Sequence, residues 1–330
     1  MKTFKHGNLF VTSNPHIVDS MNTTKIMTLV VISLLPALIA STVIFGMRAI
    51  FLTAVCVLTS VFFEWAWQKI MKQPSTIGDM SAVVTGLILA LNLPVTLPYW
   101  MAAVGSFLAI VIVKQFFGGI GQNFANPAIT ARIVLFVSFA TQMTTWADPT
   151  QQKVFNAADA VTSATPLGVM REGGIAAAQE QFSTMSMFLG NTGGSMGEVC
   201  ALALLVGGIF LIIMKVISAA TPVAFLGTIA VVSVIAGADP VWQICAGGAM
   251  LGAFFMATDY ATTPTTTLGK IIFGVGCGLI TMLIRLFGSY PEGVSFSILL
   301  MNILTPHIDT ICEKRLYGSS KKAAKEGGAK

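Results

Sequence analysis

A short run of hydroxyl-bearing residues is the part of this sequence whose residue types are best suited to chemistry. Three hydroxyls lie between the carboxylate of Asp159 and the ring of Pro166, on Thr162, Ser163 and Thr165. Small hydroxyl residues before a proline fit three uses, because they cap a helix, contact a phosphate group or accept a covalent modification. The residue types alone leave these three uses open, and Asp159 is equally suited to be a plain turn residue.

Two other segments bring polar side chains into strongly apolar surroundings. Segment 118–127 contributes Asn123 and Asn126, and segment 257–264 is rich in side-chain oxygen atoms, those of Thr258, Asp259, Thr262 and Thr263. Helix-breaking residues at membrane depth are tolerated where the backbone is buried in protein or lines a cavity. Hard oxygens of this kind suit a sodium ion or the polar edge of a cofactor, and a plain connection between helices is the competing interpretation.

Three ionisable residues lie within or near apolar runs, where a charge is costly and tends to be functional. Arg132 fits either a contact to a ligand or an extended side chain that reaches the membrane interface. Arg285 has the same two interpretations, with Glu292 or Tyr290 as the expected partner. Glu64 is flanked by tryptophans, which favours a position at the interface.

The elements that position these residues follow from composition. The chain has 330 residues, of which 55% are hydrophobic and 10% charged, and its mean hydropathy is +0.80. Soluble domains are about 25% charged, so most of this surface faces lipid. Unbroken apolar runs of helix length, without the alternation of barrel strands, predict an all-α integral membrane protein. About ten spans are expected, at 25–45, 49–67, 80–97, 100–116, 128–142, 197–217, 222–238, 241–257, 271–287 and 294–308.

Lysine positions predict the orientation of these spans. With both termini in the cytoplasm, most lysines and the basic tail lie inside, as the positive-inside rule requires. The predicted layout is a cytoplasmic segment 1–24, a first membrane half 25–142, an external loop 143–196, a second half 197–310 and a cytoplasmic tail 311–330. Five spans in each half mean that the halves, if they are repeats, are inverted. The formal charge of +5 therefore reflects topology, and no nucleic-acid partner is expected.

Five cysteines are scattered without the spacing of a metal site. Small buried hydrophobic residues are the plain interpretation, and a ligand to a metal cluster shared with another subunit is the alternative. The sequence also lacks a phosphate-binding loop and a dinucleotide fingerprint. No catalytic residue and no metal ligand is therefore assigned to this chain alone.

Several motifs resemble one family. The run 159–165 resembles the flavin-attachment motif Asp-x-x-Ser/Thr-Gly-Ala-Thr in membrane subunits of Rnf-type ferredoxin:NAD oxidoreductases and of sodium-translocating NADH:quinone oxidoreductases, with Ser163 at the glycine position. Segments 118–128, 256–264 and 288–302 are similar to characteristic segments of the D subunit of Rnf complexes. The short N-terminal segment favours the Rnf complex over the related B subunit of the quinone-reducing enzyme.

The resemblance implies a flavin site. FMN would be joined through a phosphoester to Thr165, with Thr162 and Ser163 near the phosphate oxygens and Asp159 recognised by a flavin transferase. Asn123, Asn126 and Arg132 are further candidates for flavin contacts. The oxygen-rich group around Asp259 would hold either the transported ion or a second, non-covalent flavin such as riboflavin.

The resemblance also implies a setting. The fold would resemble urea transporters, and the chain would be a multi-pass protein of the bacterial inner membrane with its flavin loop on the outer face. It would transfer electrons within a complex that couples ferredoxin:NAD oxidoreduction to Na⁺ or H⁺ movement. Its partners would be other Rnf subunits, including a second FMN-bearing subunit and iron–sulfur subunits that handle ferredoxin and NAD.

Two functions of other classes compete with this interpretation. Inverted halves with broken segments also suit a transporter or channel for a small solute, which would not need the 159–165 motif. A structural scaffold for redox partners would carry no flavin.

Overall fold

A computed structural model describes residues 21–149, 163–288 and 292–313, together with Tyr290 and the backbone of an N-terminal hairpin. In that hairpin β1 (Phe4–His6) pairs antiparallel with β2 (Leu9–Val11), and Lys5 lies opposite Phe10. The rest of the described chain is helical, as the composition predicted. Asp159 and Thr162 lie outside the described residues, so their predicted roles stay predictions.

The helices fall into two sets separated by a segment with short helices of its own. The first set is α1 (Thr23–Phe45), α2 (Met47–Ile70), α3 (Ser81–Leu91), α4 (Tyr99–Phe107), which continues as π-helix over Leu108–Gln115, and α5 (Pro127–Ser138). The middle segment holds α6 (Ala140–Met143), α7 (Pro166–Gln181) and α8 (Thr184–Leu189). The second set is α9 (Ala201–Ile213), α10 (Ala220–Ile235), α11 (Pro240–Cys245), α12 (Ala249–Leu251), which continues as π-helix over Gly252–Met256, α13 (Thr267–Phe287) and α14 (Val294–Glu313).

Four helices of the described chain are long and apolar enough to cross a membrane: α1, α2, α13 and α14. Five shorter helices are also apolar, namely α3, α4 with its π-helical continuation, α5, α9 and α10. Large hydrophobic side chains on several of them are exposed, such as Leu58 at 69% and Ile235 at 79%. An apolar surface of this kind is expected of a protein that has lipid or partner helices around it.

The two sets pack against each other through α1 and α9. Gly207 of α9 lies so close to α1 that a Cβ atom at this position would collide with the carbonyl oxygen of Ser33. Small residues at such crossings allow two backbones to approach closely, which is how helices associate when no water is expelled. Gly207 therefore fixes a contact between the two halves of the molecule.

Two predicted spans are interrupted. The third helix ends at Leu91, and residues 92–98 form a buried irregular segment instead of the helix expected to 97. The eighth is broken between α11 and α12 at residues 246–248, where Gly247 and Gly248 both have positive φ. Hydrophobic periodicity did not predict these breaks, because the largely apolar runs continue through Pro94 and through Gly247 and Gly248.

A buried arginine satisfies the backbone at each break. Arg48 donates from Nε to Val95 O at 2.7 Å and from Nη2 to Leu97 O at 3.0 Å. Arg285 donates to Gln243 O and to Ala246 O, both at 2.7 Å. Carbonyl groups without a helical partner must find donors inside the protein in an apolar medium. The expected pairing of Arg285 with Glu292 or Tyr290 is not a hydrogen bond among the described residues: the Nη atoms of Arg285 bond carbonyl and amide oxygens of 243–247, and Glu292 attracts Arg285 by its charge alone.

Candidate functional site

Thr165 occupies the N-cap of α7. Its backbone is extended, its Oγ1 accepts from the amide of Gly168 at 3.0 Å, and Pro166 is the first helical residue. A hydroxyl followed by proline is a strong helix-start signal, since the proline needs no amide partner there. Of the three uses left open by the sequence, helix capping is therefore present, and it places the hydroxyl beside the positive end of the helix dipole.

Thr165 also lines a cavity of about 490 Å³. Helix α7 and the residues before it form one wall, with Ser163, Gly168, Arg171 and Glu172 beside Thr165. The other walls come from elsewhere in the chain: Phe136 of α5, Thr144, Trp146 and Glu292. Ligand sites usually enclose about 300–1,000 Å³ and combine apolar walls with a few polar groups. Two aromatic rings, one guanidinium and two carboxylates give this cavity that composition.

Ser163 is held by contacts on both sides. Its amide donates to Trp146 O at 3.0 Å, and its Oγ is buried without a hydrogen-bond partner among the described residues. A Cβ atom on Gly193 would collide with that Oγ. Serine is therefore accommodated at this position because the facing residue has no side chain.

A cluster of charges lies behind this cavity. Arg132, only 5% exposed, donates from Nη2 to Glu198 Oε1 at 3.1 Å and to Glu292 Oε2, and from Nη1 to Ser295 Oγ at 2.7 Å. Glu292 joins the cluster to the cavity, because its side chain lines both. Arg132 therefore does not extend to an interface, and its guanidinium binds carboxylates instead of facing the Thr165 cavity.

The protonation of Glu292 is perturbed by this environment. Burial raises the pKa of its carboxyl to about 7, the charge of Arg132 opposes that rise, and the nearby charge of Glu198 adds to it. Glu292 lies in the connection between α13 and α14, in a position that the sequence offered only as a partner for Arg285. A carboxyl with a perturbed pKa in a cavity is a common mark of function.

A second cavity lies at the opposite end of α5. It measures about 100 Å³ and is lined by Asn123 and Asn126, by Thr258 and Asp259, and by Lys114. The two broken segments predicted from the sequence thus meet in one place. Asn126 also caps α5 and donates to Met256 O, whereas the Oδ1 atom of Asn123 is buried and has no hydrogen-bond partner in the described part of the chain.

The threonines near Asp259 have different roles. Thr262 donates to Asp259 Oδ2 at 3.2 Å and Thr263 donates to Asp259 O at 2.6 Å, so both hold the turn. Thr258 lines the cavity with Asp259. Burial raises the pKa of Asp259, and hydrogen bonds from Ala261 and Thr262 counteract that rise. Among the described residues, no group of three or more His, Cys, Asp or Glu side chains is placed to hold a metal ion.

An ion pair that the sequence did not predict forms part of this end of the molecule. Lys114 Nζ lies 2.8 Å and 3.0 Å from the two carboxylate oxygens of Glu64 and 2.6 Å from Ser81 Oγ. Glu64 lies near the end of α2 and its side chain is fully buried against Lys114, and its predicted position at the membrane interface stays a prediction. The sequence showed only the aromatic neighbours of Glu64, since Lys114 is fifty residues away.

The predicted residues therefore fall into two sites. Thr165 and Ser163 lie at one cavity, and Asn123, Asn126, Thr258 and Asp259 lie at the other. One helix, α5, connects them: Pro127 and Ala128 line the second cavity, and Phe136 lines the first. Arg132 is between the two along the same helix.

Comparison with known proteins identifies the family. The family model described as "NQR2, RnfD, RnfE family" matches residues 10–318. The chain is 49% identical to the D subunit of the Na(+)-translocating ferredoxin:NAD(+) oxidoreductase complex of Acetobacterium woodii, over 95% of this chain and 96% of that protein. It is 41% identical to the D subunit of the proton-translocating ferredoxin:NAD(+) oxidoreductase complex of Clostridium ljungdahlii, over 95% and 98%. It is 37% identical to the D subunit of the ion-translocating oxidoreductase complex of Stutzerimonas stutzeri, over 89% and 92%. The family resemblance of the motifs is thereby confirmed, and the chain belongs to the NQR2, RnfD, RnfE family.

Proposed function

We propose that this chain is the membrane electron-transfer subunit of an ion-translocating ferredoxin:NAD⁺ oxidoreductase complex, with FMN joined to Thr165 by a phosphoester bond. The names of the relatives support the complex and its reaction. The names of two relatives, each more than 40% identical to this chain, give different translocated ions, sodium for one and the proton for the other. Family membership thus supports ion coupling in general, and the proposal covers either ion.

The observation that carries this proposal is the position of Thr165 on the wall of the 490 Å³ cavity. The residues present fit FMN: Phe136 and Trp146 supply aromatic walls for a flat ring, and Arg171 supplies a cation for a phosphate. A phosphate on Thr165 would also lie at the N-terminus of α7, where helix amides and the dipole favour an anion. When bound, FMN would supply electron transfer, and Thr165 would be its anchor and not a reacting group.

The second cavity fits an ion better than a second flavin. A volume of about 100 Å³ is below the usual range for organic cofactors, and it corresponds to a few water molecules at about 30 Å³ each. Oxygen atoms of Asp259, Thr258, Asn123 and Asn126 are of the kind that hard cations prefer. We therefore assign this cavity to the transported cation, and a riboflavin there would require the cavity to widen.

The membrane arrangement is part of the proposal. Pairing α4 with its π-helical continuation and α11 with α12 gives ten membrane segments, five on either side of the middle segment. An even number of spans puts both termini on one side, and lysine positions favour the cytoplasm. The Thr165 cavity would then face outward and the Asp259 cavity inward, in two inverted halves like those of urea transporters.

The test is covalent flavin on the denatured chain. We expect a fluorescent band in the gel when the chain is co-expressed with a flavin transferase, and no band for Thr165→Val. Mass analysis should find an FMN-sized adduct on the Thr165 peptide. Thr144→Val is the matched control, because Thr144 lines the same cavity and should leave the band intact. A dark wild-type band, with a transferase active on another substrate, would contradict the proposal and favour a transporter or a scaffold.

A further inference from the structure

Two carboxylates share one guanidinium beside the Thr165 cavity. The same nitrogen, Nη2 of Arg132, donates to Glu198 and to Glu292. All three side chains are largely buried, with side-chain exposures of 6% for Arg132, 5% for Glu198 and 14% for Glu292. One positive charge therefore faces two acidic groups in surroundings where an uncompensated charge is expensive.

The other charges near the pair do not neutralise it by direct contact. Arg285 of α13 attracts both Glu198 and Glu292 from a distance, but its guanidinium donates to backbone and amide oxygens. Arg171 and Glu172 of α7 carry opposite charges and line the same cavity as Glu292. Two carboxylates that share one guanidinium nitrogen repel each other, and a proton on Glu292 would remove that repulsion.

We infer that Glu292 holds an exchangeable proton, which it gives to and receives from a flavin bound in the Thr165 cavity. This inference rests on the proposed function. Of the two carboxyls, Glu292 lines the 490 Å³ cavity with Thr165, whereas Glu198 lines a narrow adjoining cavity of about 20 Å³, which Thr165 and Glu292 also line. Glu292 is thus the member that reaches the ligand, and Glu198 and Arg132 are positioning residues.

The step balances within the reaction of the complex. When bound, a flavin would receive electrons from another carrier of the complex, a flavin or an iron–sulfur group, and its reduction would call for a proton. The carboxyl O–H of Glu292 would supply that proton, and the carboxylate left behind would stay bonded to Arg132. Solvent would return a proton to Glu292 after reduction, and oxidation would run both proton transfers in reverse. Proton affinity near neutrality suits such exchange, and the raised pKa of Glu292 agrees with this.

The first measurement uses the flavin-free variant Thr165→Val, so that it does not depend on the cofactor. Infrared spectra of this full-length protein are recorded across the neutral pH range. We expect a carboxylic acid band that disappears as pH rises through about 7. The band should be absent in Thr165→Val/Glu292→Gln and unchanged in Thr165→Val/Glu172→Gln, which alters an exposed carboxyl of the same cavity. Glu292→Gln keeps an oxygen acceptor for Arg132, and Glu292→Asp, which keeps a carboxyl, should shift the band and not remove it.

The second measurement records infrared difference spectra of the flavin-loaded protein on reduction. We expect the same carboxyl band to change in wild type and in Glu172→Gln but not in Glu292→Gln, and proton-coupled reduction to slow by about a hundredfold in Glu292→Gln. The inference would be overturned if no infrared acid band depended on Glu292, or if that band did not change on reduction. Either result would leave the covalent flavin proposal intact. A wild-type chain without flavin would overturn the proposed function and this exchange together, and gel fluorescence separates that case.

Discussion

Lys114 and Glu64 illustrate how single residues are stabilised in this protein. Their side chains are 3% and 0% exposed, and hydroxyls of Ser81 and Thr76 complete their hydrogen bonding. Burial removes water from both charges, and the attraction between Lys114 and Glu64 at 2.8 Å compensates for the lost hydration. Removing one partner leaves an unpaired charge, whereas removing both leaves none.

We predict that Lys114→Met and Glu64→Leu each lower stability by about 3–5 kcal/mol and that the double variant is less affected than either single variant. The reason is the uncompensated charge that each single change leaves behind. Thermal unfolding of the detergent-solubilised protein measures the effect. Additive losses in the double variant would show that the two residues act independently and would contradict the prediction.

The residue types at both sites could be read from the sequence, and their partners could not. Thr165 was singled out as a hydroxyl before a proline, and Asn126 and Asp259 were singled out as polar side chains in apolar surroundings. Arg132 and Glu292 are far apart in sequence, and only the tertiary fold brings them together. The charge cluster behind the Thr165 cavity was therefore missed, although each of its members is visible as a charge near an apolar run.

Helix α9 depends on a glycine for its approach to α1. We predict that Gly207→Ala lowers stability by about 1–3 kcal/mol, because the added methyl group would meet the Ser33 carbonyl and push the two helices apart. Gly227→Ala in α10 is the matched control, since a Cβ there meets no atom within 4 Å. It should be neutral or slightly stabilising, because alanine favours helix.

The comparison is made by thermal unfolding of both variants under the same detergent conditions. Equal melting temperatures for Gly207→Ala and wild type would mean that α1 and α9 can separate without a loss of stability, which would contradict the packing described above.

At the scale of elements, the sequence predicted the positions of most helices correctly. It did not predict where α3 ends or where α11 breaks, since those ends are set by Arg48 and Arg285 from other helices.

The whole molecule has two ends that differ in chemistry. Thr141 lies near the Thr165 cavity and Ser218 lies near Asp259, where the Tyr260 hydroxyl bonds Val216 O. We predict that a membrane-impermeant maleimide added to intact cells labels Thr141→Cys but not Ser218→Cys, because lysine distribution places the Ser218 end in the cytoplasm. Both side chains are exposed, and unmodified protein provides the background from native cysteines.

Labelling of both variants after the cells are opened is the control for reactivity. Selective labelling of Ser218→Cys in intact cells would contradict the proposed orientation and favour the inverted one.

The overall fold class and the family could be predicted from composition and motifs, because both signals are carried by residues that are contiguous in the sequence. The two cavities could not, since each is built from elements that are distant in the chain.

Helix α5 has a consequence for how the two ends influence each other. From Ala128, which lines one cavity, to Phe136, which lines the other, the helix rises only about 12 Å. At an effective dielectric constant of about 20, two unit charges at that distance interact by about 1.4 kcal/mol. A cation that enters the Asp259 cavity would therefore change the electron affinity of a flavin in the Thr165 cavity by about tenfold. By thermodynamic linkage the effect is reciprocal, so cation binding and flavin reduction would be coupled across this short stretch of α5 even if no atom moved.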